Sequence, residues 1–406
     1  MKIELTLSLD VDIPSITTFS DICKHVSQLD LNRAAFVAIV DHLDDIRTDE
    51  LAGPRYQRGG QSRYSRAGTT QFSVLTDFGR IPLTLNRVHD GSPEPGDQHA
   101  SQTVLSDLVS GGDVQLTEEF KAKLQQIASH TTYRRATEIV SLLVGAGLKK
   151  DVVWDVVQEL GIPASMTYDV NPDDFDLVLV DGSGGKGKHV WYAFIGVNTK
   201  TGEMFPLHHS VHVPLADIRK DLEGGKIITK KHIFVADGET GIHRQFKGYR
   251  FQMCAFHFEK GVCYKLWQDG MSLSERRETN KELRRILNTL KNSVKKNAGK
   301  DPGRLKTRIK TTQKELKTVA AELESRGYSK AARFIGKHVD TVTRFANEAL
   351  SLVKVPWTNN IMERFIGEVA FRIKHVWAHW GREGLNNIIY LVINRYCSKN
   401  RVVLEF

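Results

Sequence analysis

Residues 175–182 read FDLVLVDG. The run is too short for a stable helix, rich in branched apolar residues, and stopped by Asp181-Gly182. That is the pattern of a buried strand ending on an acid. Past a glycine-rich turn, residues 190–198 (VWYAFIGVN) and 203–209 (EMFPLHH) read as second and third strands. A helix is expected near 214–223. Residues 232–238 (HIFVADG) form another strand stopped by an acid, Asp237, and residues 251–257 (FQMCAFH) a strand with Cys254. Strands alternating with helices define an α/β fold. Residues 270–353 interrupt the pattern with long basic helices, in which Leu283, Ile286, Leu287, Leu290 and Val294 keep helical spacing, as do Leu305, Ile309, Leu316 and Leu323. The last helices are expected at 358–375 and 382–397.

The amino-terminal part is different in kind. From Ile3 to Ile13 every odd position is apolar and every even one polar or charged, which predicts a half-buried strand. Residues 31–52 have helical spacing. Residues 54–88 hold Arg55, Arg58, Arg63, Arg66, Arg80 and Arg87 against the single acid Asp77, and end in FGRIPLTLNRV, which reads as a strand pair. Residues 89–115, rich in Gly, Pro, Ser and Asp, read as a linker. Residues 116–160 return to helical spacing. Helices over 132–144 and 149–160, separated by a turn with Gly145 and Gly147, resemble a helix-turn-helix. Any pair of packed helices gives the same spacing.

Composition bounds the function classes. The chain has 406 residues, 40% hydrophobic and 26% charged, with a net charge of +9, which is ordinary globular chemistry. Four scattered cysteines (Cys23, Cys254, Cys263, Cys397) make no disulfide framework, so a reducing, cytoplasmic setting is expected. No apolar run has the roughly 18 residues of a membrane span, and the N-terminus does not read as a signal peptide. The charge is polarised. Residues 270–348 carry 20 Lys/Arg against 9 Asp/Glu, while all the rest of the chain carries 37 against 39. That block is the expected grip on a polyanion.

Two acids at strand ends can converge on a cation, and Glu363, in the helix TNNIMERFIGEVAFRIK (358–374), is the candidate third ligand. Three carboxylates suit Mg²⁺ or Mn²⁺, and two such ions suit phosphodiester chemistry. The same residues have plainer uses. Asp-Gly ends many strands as a turn, and Glu363 fits the third position of a capping box opened by Asn360. Residues 182–189 (GSGGKGKH) nearly match a phosphate loop. His189 lacks the hydroxyl that the motif needs, and the following residues are strand-formers where a helix should open. A β-hairpin turn bringing Lys186 and Lys188 near phosphates fits better. Cys254-x-x-His257 is half of a zinc set, with no second pair at metal spacing.

In this order, Asp181, Asp237, Cys254-x-x-His257, a helical insertion and Asn359-Asn360-Ile-Met-Glu363-Arg364 resemble the DDE transposases of prokaryotic insertion sequences. The resemblance is to the Mutator-like group, and most of all to the family first named from halobacterial elements. It extends to GPRYQRGGQSRYSRAGTTQFSV (53–74) and so covers nearly the whole chain. It implies an RNase H-like core with Asp181, Asp237 and Glu363 holding two Mg²⁺ or Mn²⁺ ions. The implied domains are an N-terminal region (1–115), a helix-turn-helix-like domain (116–172), a first core part (173–268), the basic insertion (269–353) and a second core part (354–406). The implied partner is double-stranded DNA, as terminal inverted repeats and as target, bound by a homodimer or higher oligomer at the prokaryotic nucleoid. Lys186, Lys188, His257, Arg364, Lys374, Arg134, Arg135, Lys295, Lys296, Arg304, Lys306, Arg55, Arg58, Arg63 and Arg66 are the expected DNA contacts. Trp267 and Trp357 are expected to pack in the core. The other classes are a catalytically silent transposase-derived DNA-binding protein, an RNase H-like nuclease without repeat preference, and a phosphate-loop ATPase.

Overall fold

The computed structural model describes residues 31–54, 63–91, 101–105, 115–144, 147–183, 190–238, 240–373 and 380–406. The expected strand at 3–13, Arg55, Arg58, Lys186, Lys188 and Lys374 lie outside them. The chain divides into two compact units, Met1–Val156 and Val157–Phe406.

In the first unit, α1 (Leu31–Ala52) precedes two long antiparallel strands, β1 (Tyr64–Thr76) and β2 (Gly79–Asp90). The sequence suggested a strand pair only in the tail of this stretch, but the hairpin spans nearly all of it. Along β2, Ile81, Leu83 and Leu85 alternate inward and pack with Phe72, Val74 and the α1 residues Phe36, Val37 and Val40. A bulge between Arg66 and Thr69 interrupts β1. The expected linker contributes two strands of its own, β3 (Ser101–Thr103) and β4 (Gln115–Leu116), so the sheet order is β3-β2-β1-β4. Helices α2 (Glu118–His130) and α3 (Tyr133–Val144) follow, with α4 (Lys150–Gln158) spanning the division between the units.

The second unit is built on a mixed six-stranded sheet in the order β10-β9-β6-β7-β8-β5. Its strands are β5 (Ser165–Thr167), β6 (Leu177–Ser183), β7 (Trp191–Val197), β8 (Met204–Val211), β9 (Ile233–Ala236) and β10 (Arg250–Met253). β6, β7 and β8 run antiparallel in sequence, whereas β6–β9 and β9–β10 are parallel. Parallel neighbours need crossovers, which α5 (Leu215–Gly224) and α6 (Thr240–Gln245) supply. These helices cover one face, packing Ile218, Leu222, Ile242 and Phe246 on Val178, Val180, Phe194, Phe234 and Ala236. The other face receives α12 (Asn360–Ile373), where Phe365 meets Trp191 edge to face, and α13 (Arg382–Lys399), whose Tyr396 also meets Phe365 edge to face.

Between the sheet strands and α12 the chain makes an all-helical block: α7 (Ala255–Gln268), α8 (Leu273–Asn297), α9 (Pro302–Ser325), α10 (Ser329–Val342) and α11 (Arg344–Ala349). Apolar positions at the helical spacing read from the sequence enter its core, with Leu283, Ile286, Leu287, Leu316 and Leu323 buried, and Ile335 and Val339 of α10 join them. Asp301 caps α9 by accepting from Arg304 N at 2.8 Å, and Pro302 follows at the first helical position. No helix of the described residues is long and apolar enough to cross a membrane.

Two buried histidines on β8 couple this unit to pH. His208 Nδ1 lies 2.9 Å from Thr167 Oγ1, and His209 Nδ1 lies 3.1 Å from Tyr168 Oη. Burial pushes their pKa values from 6.5 down to about 4 and about 3. Below pH 6.5 the unfolded chain takes up protons that the folded chain refuses, so stability falls with pH until the folded values are reached. Urea unfolding at pH 7, 6 and 5 should show a loss approaching about 1.4 kcal/mol per pH unit for each histidine. His209→Asn should make that slope shallower.

Candidate functional site

The parallel ladder fixes the site. Val180 pairs with Ala236, and Ala236 with Met253. One residue beyond each, Asp181, Asp237 and Cys254 therefore stand level on three neighbouring strands, roughly 5 Å apart from strand to strand. The expected strand stop at Asp181-Gly182 is absent, because β6 stays paired with β7 as far as Ser183. Side chains alternate between faces. Val180 and Ala236 face α5 and α6, so Asp181 and Asp237 sit on the face that α12 covers. Asp181 is buried, and its Oδ1 accepts the Gly182 N–H at 2.7 Å. Asp237 is half-buried.

Glu363 arrives on α12, and Asn359 moors that helix. Asn359 is almost fully buried. Its Nδ2 donates to Val180 O at 3.2 Å, and its N–H donates to Cys254 Sγ at 3.3 Å. Two residues earlier, Trp357 O accepts from Ala255 N at 2.9 Å. The approach to α12 thus runs along the strand ends, one residue from Asp181 on one side and at Cys254 on the other. The expected capping box is absent. The helix begins at Asn360 itself, Asn359 precedes it, and Glu363 N–H donates to Asn359 O at 3.0 Å. Asn359 Oδ1 is buried without a hydrogen-bond partner.

The Glu363 carboxylate faces His257, with Oε1 3.7 Å from Nδ1. Among the described residues, the metal-type donors whose ligand atoms lie within 4.8 Å of one another are Cys254, His257 and Glu363. Asp181 and Asp237 do not belong to that close group. Sequence reasoning found Cys254 and His257 but paired neither with Glu363. Burial raises the Cys254 thiol pKa, opposed by backbone N–H groups of His257, Asn359 and Phe256.

Trp267 corrects an expectation. It is 56% exposed, because α7 buries Phe258, Val262 and Leu266 and the next position turns about 100° away from that stripe. Phe256, Lys260, Tyr264 and Trp267 are all exposed, at the spacing of a single helix face. Trp357 does pack, against the block's core, with Lys291 Nζ 4.4 Å from its ring centre.

The expected DNA contacts divide into engaged and available cations. Arg63 makes a bidentate pair with Asp90 at 2.6–3.0 Å, and Arg66 pairs with Asp49. Arg134 and Arg135, at the start of α3, and Arg364 on α12 are exposed. On the helical block, Lys295 is exposed and 3.9 Å from Glu405, and Lys306 is exposed. Lys296 and Arg304 line, with Arg308, Asn292, Ser293 and Thr307, a cleft of about 520 Å³ between α8 and α9. Cations with amide and hydroxyl donors in one cleft suit phosphate oxygens.

No family model matches the chain, and no curated protein matches it.

If Asn359 holds α12 against the strand ends, Asn359→Ala should cost about 1–3 kcal/mol, since Val180 O loses its buried donor. Urea unfolding measures the loss. Amide exchange at Glu363 should accelerate more than exchange in α8.

Proposed function

We propose that the chain is a metal-dependent DDE transposase with an RNase H-like core and a helical insertion that grips DNA. The observation that carries this reading is the level placement of Asp181 and Asp237 on the sheet face that receives the Glu363 helix. The antiparallel β6-β7-β8 run, continued by parallel β9 and β10 with acids at the carboxyl ends, supports an RNase H-like core. The position of α7–α11 between Cys254 and α12 in the chain supports the insertion.

Three carboxylates are a hard oxygen set, which fits Mg²⁺ or Mn²⁺. When bound there, such ions supply activation of an attacking oxygen and charge stabilisation at a leaving one. Asp181 and Asp237 are set by backbone register and need no loop closure to stand together. Glu363 is the third donor, and in the present arrangement it faces His257. Lys296, Arg304 and Lys306 on the helical block hold the DNA backbone. Arg134 and Arg135 make phosphate contacts beside the terminal-repeat reader, and Arg364, the exposed residue after Glu363 on α12, adds another. The proposed reactions are hydrolysis of a phosphodiester at a terminal inverted repeat and transfer of the freed 3′-hydroxyl to target DNA. Both are in-line displacements at phosphorus, so one site serves both.

Asp181→Asn and Asp237→Asn should each abolish Mg²⁺-dependent cleavage of DNA carrying the element's ends while leaving its binding within about threefold. Unchanged cleavage overturns the assignment. Equal cutting of unrelated DNA points to a nuclease without repeat preference. Exchanging Lys295, Lys296, Arg304 and Lys306 for Gln should weaken binding to all DNA sequences and lower the salt dependence of log K by about 3–4. Fluorescence anisotropy over a salt series measures it.

A further inference from the structure

Cys254, His257 and Glu363 form a donor set unlike the aspartates. A thiol, an imidazole and a carboxylate suit a borderline cation such as Zn²⁺, whereas Mg²⁺ takes oxygen alone. Their ligand atoms lie within 4.8 Å of one another. Tetrahedral ligands at Zn–N and Zn–O lengths of about 2.0–2.1 Å and Zn–S of about 2.3 Å are separated by roughly 3.3–3.6 Å. The 3.7 Å between His257 Nδ1 and Glu363 Oε1 is close to that spacing. It is also too long for a hydrogen bond.

A further observation at the same place points to a ligand. His257 Nδ1 is buried and has no hydrogen-bond partner. A buried ring nitrogen left unsatisfied is costly, and this one is aimed at the Glu363 carboxylate. Cys254 Sγ accepts the Asn359 N–H at 3.3 Å, which fixes the sulfur at the start of α7 beside His257 and Glu363. The sequence offered only the Cys-x-x-His pair, which lacks a third ligand. The fold brings Glu363 to it from 106 residues further along than His257.

We propose that Cys254, His257 and Glu363 bind a Zn²⁺-type cation, with the fourth position open to solvent on the Glu363 side, where that side chain is 39% exposed. Three protein ligands with an open position is the arrangement of a reactive or exchangeable zinc site more than of a structural one. The site shares Glu363 with the proposed cleavage site, and its test needs no DNA cleavage.

The full chain, stripped by a chelator, is titrated with Co²⁺ in the presence of millimolar Mg²⁺. One equivalent should bind with a near-ultraviolet thiolate-to-cobalt charge-transfer band, and Zn²⁺ should displace it. Cys254→Ser should abolish the band. Cys263→Ser should leave it unchanged. His257→Ala and Glu363→Gln keep the buried thiol in place and should each weaken Co²⁺ binding at least tenfold, with melting temperatures taken alongside to confirm folding. The proposal is overturned by absence of the band in the unaltered chain, by its survival in Cys254→Ser, or by unaltered affinity in the folded His257→Ala and Glu363→Gln proteins.

Discussion

The carboxyl ends of β6, β9 and β10 are held level by the hydrogen bonds of a parallel ladder, with Val180 opposite Ala236 and Ala236 opposite Met253. Side-chain direction along a strand has a period of two. A slip of one residue in either pairing would turn an aspartate into the core behind the sheet, among Phe194, Phe234 and Phe246. The apolar content of that face makes such a slip costly, so the same burial that stabilises the sheet also sets which way the acids point. Cys254 gains its position by the same means, with its own N–H donating to Ala236 O at 2.8 Å.

A second constraint is local and polar. Asn359 spends its amide donor on Val180 O and its backbone donor on the Cys254 sulfur. One buried residue thus measures the distance between β6, the start of α7 and the start of α12. Glu363 is one turn further along and inherits its place from these bonds. The carboxylate faces His257 and groups with the Cys254–His257 pair, while it is also the third acid of the proposed hard-oxygen set. A hard and a borderline cation would compete for the same side chain.

Much of the second unit is legible in the sequence because its strands are short and β-branched, and because the helical block repeats Leu and Ile at helical spacing, although β6 runs through the Asp181-Gly182 pair that reads as its stop. What escaped notice depends on partners distant in sequence. Arg63 and Arg66 read as free cations, yet Asp90 and Asp49 take them, 27 and 17 residues away. The strands Ser101–Thr103 and Gln115–Leu116 are too short to carry a pattern of their own and exist because β2 and β1 offer edges. Asn359 was passed over for Asn360 because either satisfies the local rule for a helix start, and only the contact with Val180 separates them. Trp267 reads as a core residue, yet its angular offset from Phe258, Val262 and Leu266 turns it outward.

The helical block has a consequence in time. Glu363 lies 126 positions after Asp237 because of it. A ribosome adding about 5–20 residues per second takes roughly 6–25 s to make that stretch. During that interval the sheet already has both aspartates and the Cys-x-x-His helix, but the third acid does not yet exist. A nascent chain therefore carries an incomplete donor set while it is still tethered to its own message, and gains the last carboxylate only after the basic helices are complete.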